Sequence, residues 1–195
     1  MSPTVHDGTI AAAGSYRRLV AARRAYGQRT YGDRHLDRLD LAANIVQEAA
    51  DCLVYVRLER DRWQRRRHDL QHLARQLKAV DRLAQQLGAM CEDVARHLAG
   101  EQAAFADVFQ ERWEFGQRTY GDAHLERDNL AESLEEAADI QILALLELDR
   151  REKTNRLRPA DRALLAVIDS QAIRFAEAVM DLRGRVLAAP GPPAA

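Results

Sequence analysis

The segment GQRTYGDRHL at residues 27–36 recurs almost unchanged as GQRTYGDAHL at residues 116–125. This repetition is the strongest indication of how the chain folds. A second match follows the first, because EAAD at residues 48–51 recurs as EAAD at residues 136–139. Two matches at nearly the same separation are the signature of an internal repeat. The sequence therefore predicts that one structural unit has been duplicated within the chain.

The repeated unit has the composition of a helical protein. The 195-residue chain is rich in Ala, Leu, Arg, Glu and Gln, which favour helix. Short β-branched or aromatic runs between turn residues, the usual sign of strands, do not occur. We predict an all-α helical bundle, formed by internal duplication of a helix–loop–helix unit with pseudo-twofold symmetry.

The predicted organisation is a single domain over residues 1–195. Its parts are repeat 1 at about 10–66, a connecting helix at about 69–99, repeat 2 at about 101–153, a C-terminal helix at about 159–188 and a disordered tail at 189–195.

Within each repeat the glycines and aspartates predict where helices end and begin. We expect the first helices to run from Ile10 to Ala25 and from Glu101 to Glu114. Gly27 and Gly116 then stand where a C-cap glycine is expected. Gly32 and Gly121 supply a second turn, while Asp33 and Asp122 are placed to cap the long helices, predicted at 36–66 and 124–153.

Charge and hydropathy narrow the classes of partner. The formal net charge of -1 argues against nucleic acid or an anionic membrane as the main partner. Cys52 and Cys91 lie in apolar helical stretches, which is typical of reduced core residues. The chain starts without the pattern of a signal peptide, and its most apolar stretch is too short to span a bilayer. We expect a soluble cytoplasmic protein, either a monomer or a homo-oligomer.

One chemical pattern stands out, an acidic stripe on each long helix. Asp128, Glu132, Glu136 and Asp139 fall within about an 80° sector of their helix. Repeat 1 has the same arrangement, consisting of Asp40, Asn44, Glu48 and Asp51. Both stripes continue into large apolar residues, so we expect them to point partly inward.

Carboxylates gathered on an inward face require a counter-charge. One hypothesis is a hard cation, Mg²⁺ or Mn²⁺, held by oxygen ligands from both stripes. The predicted metal ligands are Asp128, Glu132, Glu136, Asp139, Glu48 and Asp51. The other hypothesis is a polar seam satisfied by arginines, for which Arg38, Arg57, Arg118 and Arg127 are available.

The paired Glu-x-x-Asp segments, Glu136/Asp139 and Glu48/Asp51, resemble those of the MazG-like all-α nucleoside triphosphate pyrophosphohydrolases. The lead-in Y-G-D-x-H-L-x-R-D at residues 120–128 looks like that of small phage and actinobacterial proteins grouped with MazG. The family's usual E-E-x-x-E segment does not precede either stripe. The two repeats would therefore have to supply the two halves of one site.

The resemblance implies Mg²⁺-dependent hydrolysis of a nucleoside triphosphate to a monophosphate and pyrophosphate. The residues that would carry catalysis are Glu132, Glu136, Asp139, Glu48 and Asp51. The residues that could contact the nucleotide are Arg118, Arg127, His124, Lys153 and Arg156. The alternative function is a non-catalytic helical scaffold that binds a protein partner.

Overall fold

Helix-forming sequence produces helices throughout the part of the chain that the structure describes. The computed structural model describes residues 16–31, 40–65, 71–100 and 103–188. Within these ranges the chain forms six α-helices, a short 3₁₀ helix at Gly121–Glu126 and no strand, which confirms the all-α prediction. The helices are α1 Tyr16–Tyr31, α2 Leu41–Arg65, α3 Gln71–Ala99, α4 Phe105–Tyr120, α5 Asn129–Lys153 and α6 Pro159–Ala188.

The two long helices of the repeats, α2 and α5, form the centre of the bundle and have the most extensive contact of any helix pair. Small residues lie at their crossing, where Ala49, Ala50, Ala137 and Ala138 are fully buried. Alanines at a helix crossing let the two backbones approach closely. The Ser133 hydroxyl accordingly donates a hydrogen bond to the backbone carbonyl of Cys52 at 3.3 Å. The repeated EAAD segments therefore meet at the centre of the molecule.

The remaining helices surround this central pair. Helix α3 packs on α2, α6 packs on α5, and α3 and α6 also contact each other. Helix α1 lies against α5, whereas α4 lies against α2. Helices α1 and α4 thus each pack on one of the two central helices, which places residues of α1 and α4 beside the central crossing.

The first glycine of each repeated loop does not end a helix, contrary to prediction. Gly27 and Gly116 lie inside α1 and α4, which continue to Tyr31 and Tyr120. A glycine inside a helix costs only about 1 kcal/mol relative to alanine, so the flanking helix formers prevail. Helix α4 ends instead at Gly121, whose φ of 49° suits glycine and whose N–H donates to the carbonyl of Gln117.

The predicted start of the second long helix was also wrong. Asp122 lies in the 3₁₀ helix, and α5 begins only at Asn129. Its N-cap is Asp128, whose side chain accepts a hydrogen bond from the Ala131 N–H at 3.0 Å. In repeat 1, α2 begins at Leu41 rather than Leu36. The predictions for residues 10–15, 32–39, 66–70 and 189–195, which include Gly32, Asp33, Arg38 and the tail, lie outside the described residues.

Buried charge anchors the end of α5. Glu147 is almost fully buried and accepts hydrogen bonds from Arg150 at 2.8 Å and from Arg151 at 2.6 Å. Arg151 also donates to Asp161 of α6 at 3.1 Å and to the carbonyl of Leu98 in α3 at 2.6 Å. Burial opposes ionisation of Asp161, but hydrogen bonds from Arg158 and His97 lower its pKa to about 2. The network fastens α3, α5 and α6 together.

The equivalent position of repeat 1 holds a second buried glutamate. Glu59 accepts hydrogen bonds from Arg62 and from the Trp63 indole N–H, both at 2.6 Å, and from Asn129 at 3.2 Å. Arg62 also donates to the carbonyl of Arg127 at 2.6 Å. These bonds connect the end of α2 to the start of α5. Cys52 and Cys91 are buried and free, as predicted.

Gly88 of α3 faces the ring of Phe105, and a Cβ at this position would collide with three ring carbons. Replacement of Gly88 by alanine is expected to lower the free energy of unfolding by about 1–3 kcal/mol, because Phe105 must leave a packed position. The matched control is Gly184→Ala in α6, where nothing lies within 4 Å. Removing that helical glycine should instead stabilise by about 0.5–1 kcal/mol. Equal effects of the two variants in urea unfolding would contradict this account.

Candidate metal centre at the helix crossing

Three carboxylates meet where α2 crosses α5. Oxygens of Glu48, Asp51 and Glu136 lie within 4.8 Å of one another. The spacing explains the arrangement, because residues three apart share a helix face and the neighbouring alanines bring the opposite helix close. Each side chain is buried or partly buried. Repeat 1 supplies two of the three groups, and repeat 2 supplies the third.

Glu48 and Glu136 form a carboxyl–carboxyl contact, hydrogen-bonded to each other. Burial, together with the charges of Asp139 and Asp51, raises the pKa of Glu48 from 4.5 to about 7. Burial and the charges of Glu48, Asp51 and Asp139 raise the pKa of Glu136 well above its ordinary value. A hydrogen bond between two carboxyl groups requires a proton on one of them. The pair therefore resists simultaneous ionisation.

Asp51 and Asp139, which lie on either side of the glutamate pair, each form a bidentate ion pair with one arginine. Arg112 of α4 binds both carboxylate oxygens of Asp51, with its Nε 2.8 Å from Oδ1. Arg23 of α1 binds both carboxylate oxygens of Asp139, also with its Nε 2.8 Å from Oδ1, and contacts Glu135 as well. Bidentate pairs of this kind are the strongest form of arginine–carboxylate contact. Two arginine clamps thus flank the glutamate pair.

The other predicted metal ligands have different partners. Glu132 accepts a hydrogen bond from Arg127 at 2.6 Å. Asp128 caps α5 and pairs with Arg183 of α6 at 2.7 Å. With Asp139 held by Arg23, the structure brings three of the six predicted ligands into one group. Asp128, Glu132 and Asp139 lie outside that group.

The predicted nucleotide contacts are dispersed over the surface. Arg118 and Arg156 are exposed, and Lys153 is exposed and pairs with Asp149 at 3.0 Å. The side chain of His124 is outside the described part of the chain. Of the four predicted contacts whose side chains the structure describes, Arg127 is the one that adjoins the acidic stripe, through its bond to Glu132.

Of the arginines offered for a polar seam, Arg127 takes that role and Arg57 does not. Arg57 lies over the ring of Phe109, 4.5 Å from its centroid, and pairs with Asp81 at 3.4 Å. Arg23 and Arg112, which do clamp the stripe, were missed by the sequence analysis. The sequence does indicate that these two arginines correspond to each other, because they are 89 residues apart, like the repeated loop segments.

The donor set is suited to a hard divalent cation. Carboxylate oxygens are the ligands that Mg²⁺ and Mn²⁺ prefer, and the group contains no sulfur or imidazole. A cation at Glu48 and Glu136 would displace their shared proton and supply the missing counter-charge. Asp51 could join it while still paired with Arg112, because one carboxylate has acceptor sites for both.

Comparison with known proteins found no matching family model and no significant match among curated proteins or solved structures. A search of the described helices for a stretch both long and apolar enough to cross a membrane found none.

Proposed function

We propose that Glu48, Asp51 and Glu136 bind Mg²⁺ or Mn²⁺, and that the chain hydrolyses nucleoside triphosphates to monophosphate and pyrophosphate, as MazG-like proteins do. The observation that carries the proposal is the close approach of Glu48 and Glu136, two partly buried carboxyl groups whose oxygens lie within 4.8 Å of each other. Such a pair is unfavourable for folding at neutral pH unless a ligand repays it. A divalent cation is the simplest ligand of that kind.

The proposal includes the duplication. Helices α1–α3 and α4–α6 would be two copies of one unit related by a pseudo-twofold axis through the crossing of α2 and α5. The support is reciprocal packing: α1 lies on α5 and α4 on α2, and Arg23–Asp139 corresponds in sequence to Arg112–Asp51. One site would then be shared by the two repeats, in a single chain.

The bound cation would neutralise charge on the phosphates and lower the pKa of a water molecule. One of the carboxylates would accept the proton of the attacking water. The water oxygen forms a bond to the α-phosphorus, the bond from that phosphorus to the bridging oxygen breaks, and pyrophosphate leaves with the electron pair. Arg112 and Arg23 would bind phosphate oxygens in place of Asp51 and Asp139, because guanidinium groups bind phosphate in the same bidentate manner as carboxylate.

The test is pyrophosphate release from a panel of nucleoside and deoxynucleoside triphosphates with Mg²⁺ or Mn²⁺. Glu136→Gln, which removes a ligand but preserves shape, is expected to lower kcat by at least about 100-fold. Glu177→Gln, on the exposed face of α6, is the matched control and should leave turnover unchanged. Equal turnover in wild type and Glu136→Gln would exclude this site as the catalytic one.

The second candidate function is a helical scaffold for a protein partner. It is favoured by the arginine clamps, because Arg23 and Arg112 already satisfy two of the carboxylates that a metal site would use. Under this alternative, wild type releases no pyrophosphate from any nucleotide, and Glu136→Gln is more stable than wild type whether or not cations are present.

A further inference from the structure

Among the side chains that the structure describes, each repeat exposes one large aromatic residue at the same position. Tyr26 of α1 is 38 % exposed and Phe115 of α4 is 51 % exposed. The two residues are 89 positions apart, so they correspond in the sequence repeat. An exposed phenylalanine leaves apolar surface in water, which is unfavourable. On the same helix, nearby Phe109 and Trp113 stack on each other. Phe115 is thus an aromatic surface that packing within the bundle leaves open.

Phe115 lies less than one helical turn beyond the arginine that binds Asp51. Phe115 follows Arg112 by three residues, which places the two side chains about 60° apart around α4 and about 4.5 Å apart along its axis. Arg112 is the arginine that clamps Asp51, a member of the three-carboxylate group. Tyr26 has the same relation to Arg23, but Arg23 clamps Asp139, which is outside that group. The two aromatics are equivalent in sequence, but the arginine next to Phe115 binds a member of the three-carboxylate group, whereas the arginine next to Tyr26 binds Asp139 and Glu135.

We propose that Phe115 stacks on the nucleobase of the substrate and so distinguishes a nucleotide from inorganic polyphosphate. This inference rests on the proposed function. With the phosphates at the cation and at Arg112, the sugar of a nucleotide spans the short distance to the next turn of α4, where the ring is exposed. Aromatic stacking accepts any base, because every base presents a π-face. The site then takes nucleoside triphosphates as a class and discriminates weakly among them.

The test compares a nucleoside triphosphate with inorganic tripolyphosphate, which has the same phosphates and no base. For Phe115→Ala we expect the KM of the nucleotide to rise about 5- to 100-fold, from the loss of one base–aromatic contact. We expect kcat, and the KM of tripolyphosphate, to stay within twofold of wild type. Phe115→Trp, which preserves a stacking surface, should restore a low KM for the nucleotide. Tyr26→Ala is the matched control and should have the smaller effect.

The outcomes separate this inference from the proposed function. Unchanged nucleotide KM in Phe115→Ala, with normal wild-type turnover, overturns stacking at Phe115 and leaves the hydrolase intact. An equal rise for tripolyphosphate overturns it too, because the ring would then act through the phosphate site or the fold. A Tyr26→Ala effect as large as that of Phe115→Ala overturns the assignment to the Arg112 side. Wild type that hydrolyses neither compound overturns the proposed function and this inference together.

Discussion

Replacement of Glu147 by alanine is expected to lower the free energy of unfolding by about 3–5 kcal/mol. Glu147 is the shared acceptor of Arg150 and Arg151, and all three side chains are buried. Removing the carboxylate leaves two guanidinium groups in the interior with fewer acceptors. Breaking a buried ion pair in this way is strongly destabilising, because it leaves buried charge without compensation. Urea unfolding at neutral pH measures the effect.

The control for this prediction is Glu152→Ala, in the last turn of α5. Glu152 is exposed and pairs with exposed Arg162 at 3.3 Å, so its loss should cost less than about 1 kcal/mol. A Glu147→Ala variant that loses no more than Glu152→Ala would mean that Asp161 and backbone carbonyls suffice for the two arginines.

Replacement of Glu136 by glutamine is expected to have the opposite sign and to stabilise the protein when divalent cations are absent. The pKa of Glu48 is raised from 4.5 to about 7 in the folded state, and that of Glu136 is raised well above its ordinary value. A carboxyl with a raised pKa holds its proton more tightly when folded than when unfolded. Its contribution to stability is therefore present below pH 4.5 and lost as pH rises to about 7.

The free energy of unfolding of the glutamine variant should fall less than that of wild type as pH rises from 4.5 to about 7. Its amide donates a hydrogen bond to Glu48 without needing a proton. At pH 8 without cations it should be more stable than wild type, and at pH 4.5 the difference should nearly vanish. Glu132→Gln, which weakens the pair with Arg127, is the control and should destabilise slightly at pH 8. Parallel pH profiles for wild type and Glu136→Gln would contradict the shared-proton account.

The sequence predicted the inward acidic stripe better than it predicted the helix ends. Helical periodicity places Glu48 and Asp51 on one face, and their continuation into apolar residues indicated burial. Gly27 and Gly116 misled because glycine is tolerated inside a helix at a modest cost, whereas the real helix end at Gly121 depends on a positive φ. A glycine's conformation cannot be inferred from its presence alone.

The partners of the stripe could not be predicted from local pattern. Arg23 and Asp139 are 116 residues apart in the chain, and Arg112 and Asp51 are 61 apart. Such pairs follow from which helix packs on which, and helical periodicity within one segment carries no information about that. The sequence repeat does carry information about these pairs, because the corresponding arginines and aspartates recur in both copies. Upstream of the repeated loop segment, Arg23 and Arg112 are the charged residues that both copies share.

The most direct test of the central claim is calorimetric titration of the cation-free protein with Mn²⁺ at pH 8, in wild type, Glu136→Gln and Glu177→Gln. We predict one binding event, with proton release, in wild type and Glu177→Gln. Binding to Glu136→Gln should be at least about tenfold weaker, because losing one ligand costs at least the roughly 1.4 kcal/mol of binding free energy to which a tenfold change corresponds. Binding of equal strength in all three proteins, or no binding in wild type, would contradict a metal centre at the crossing of α2 and α5.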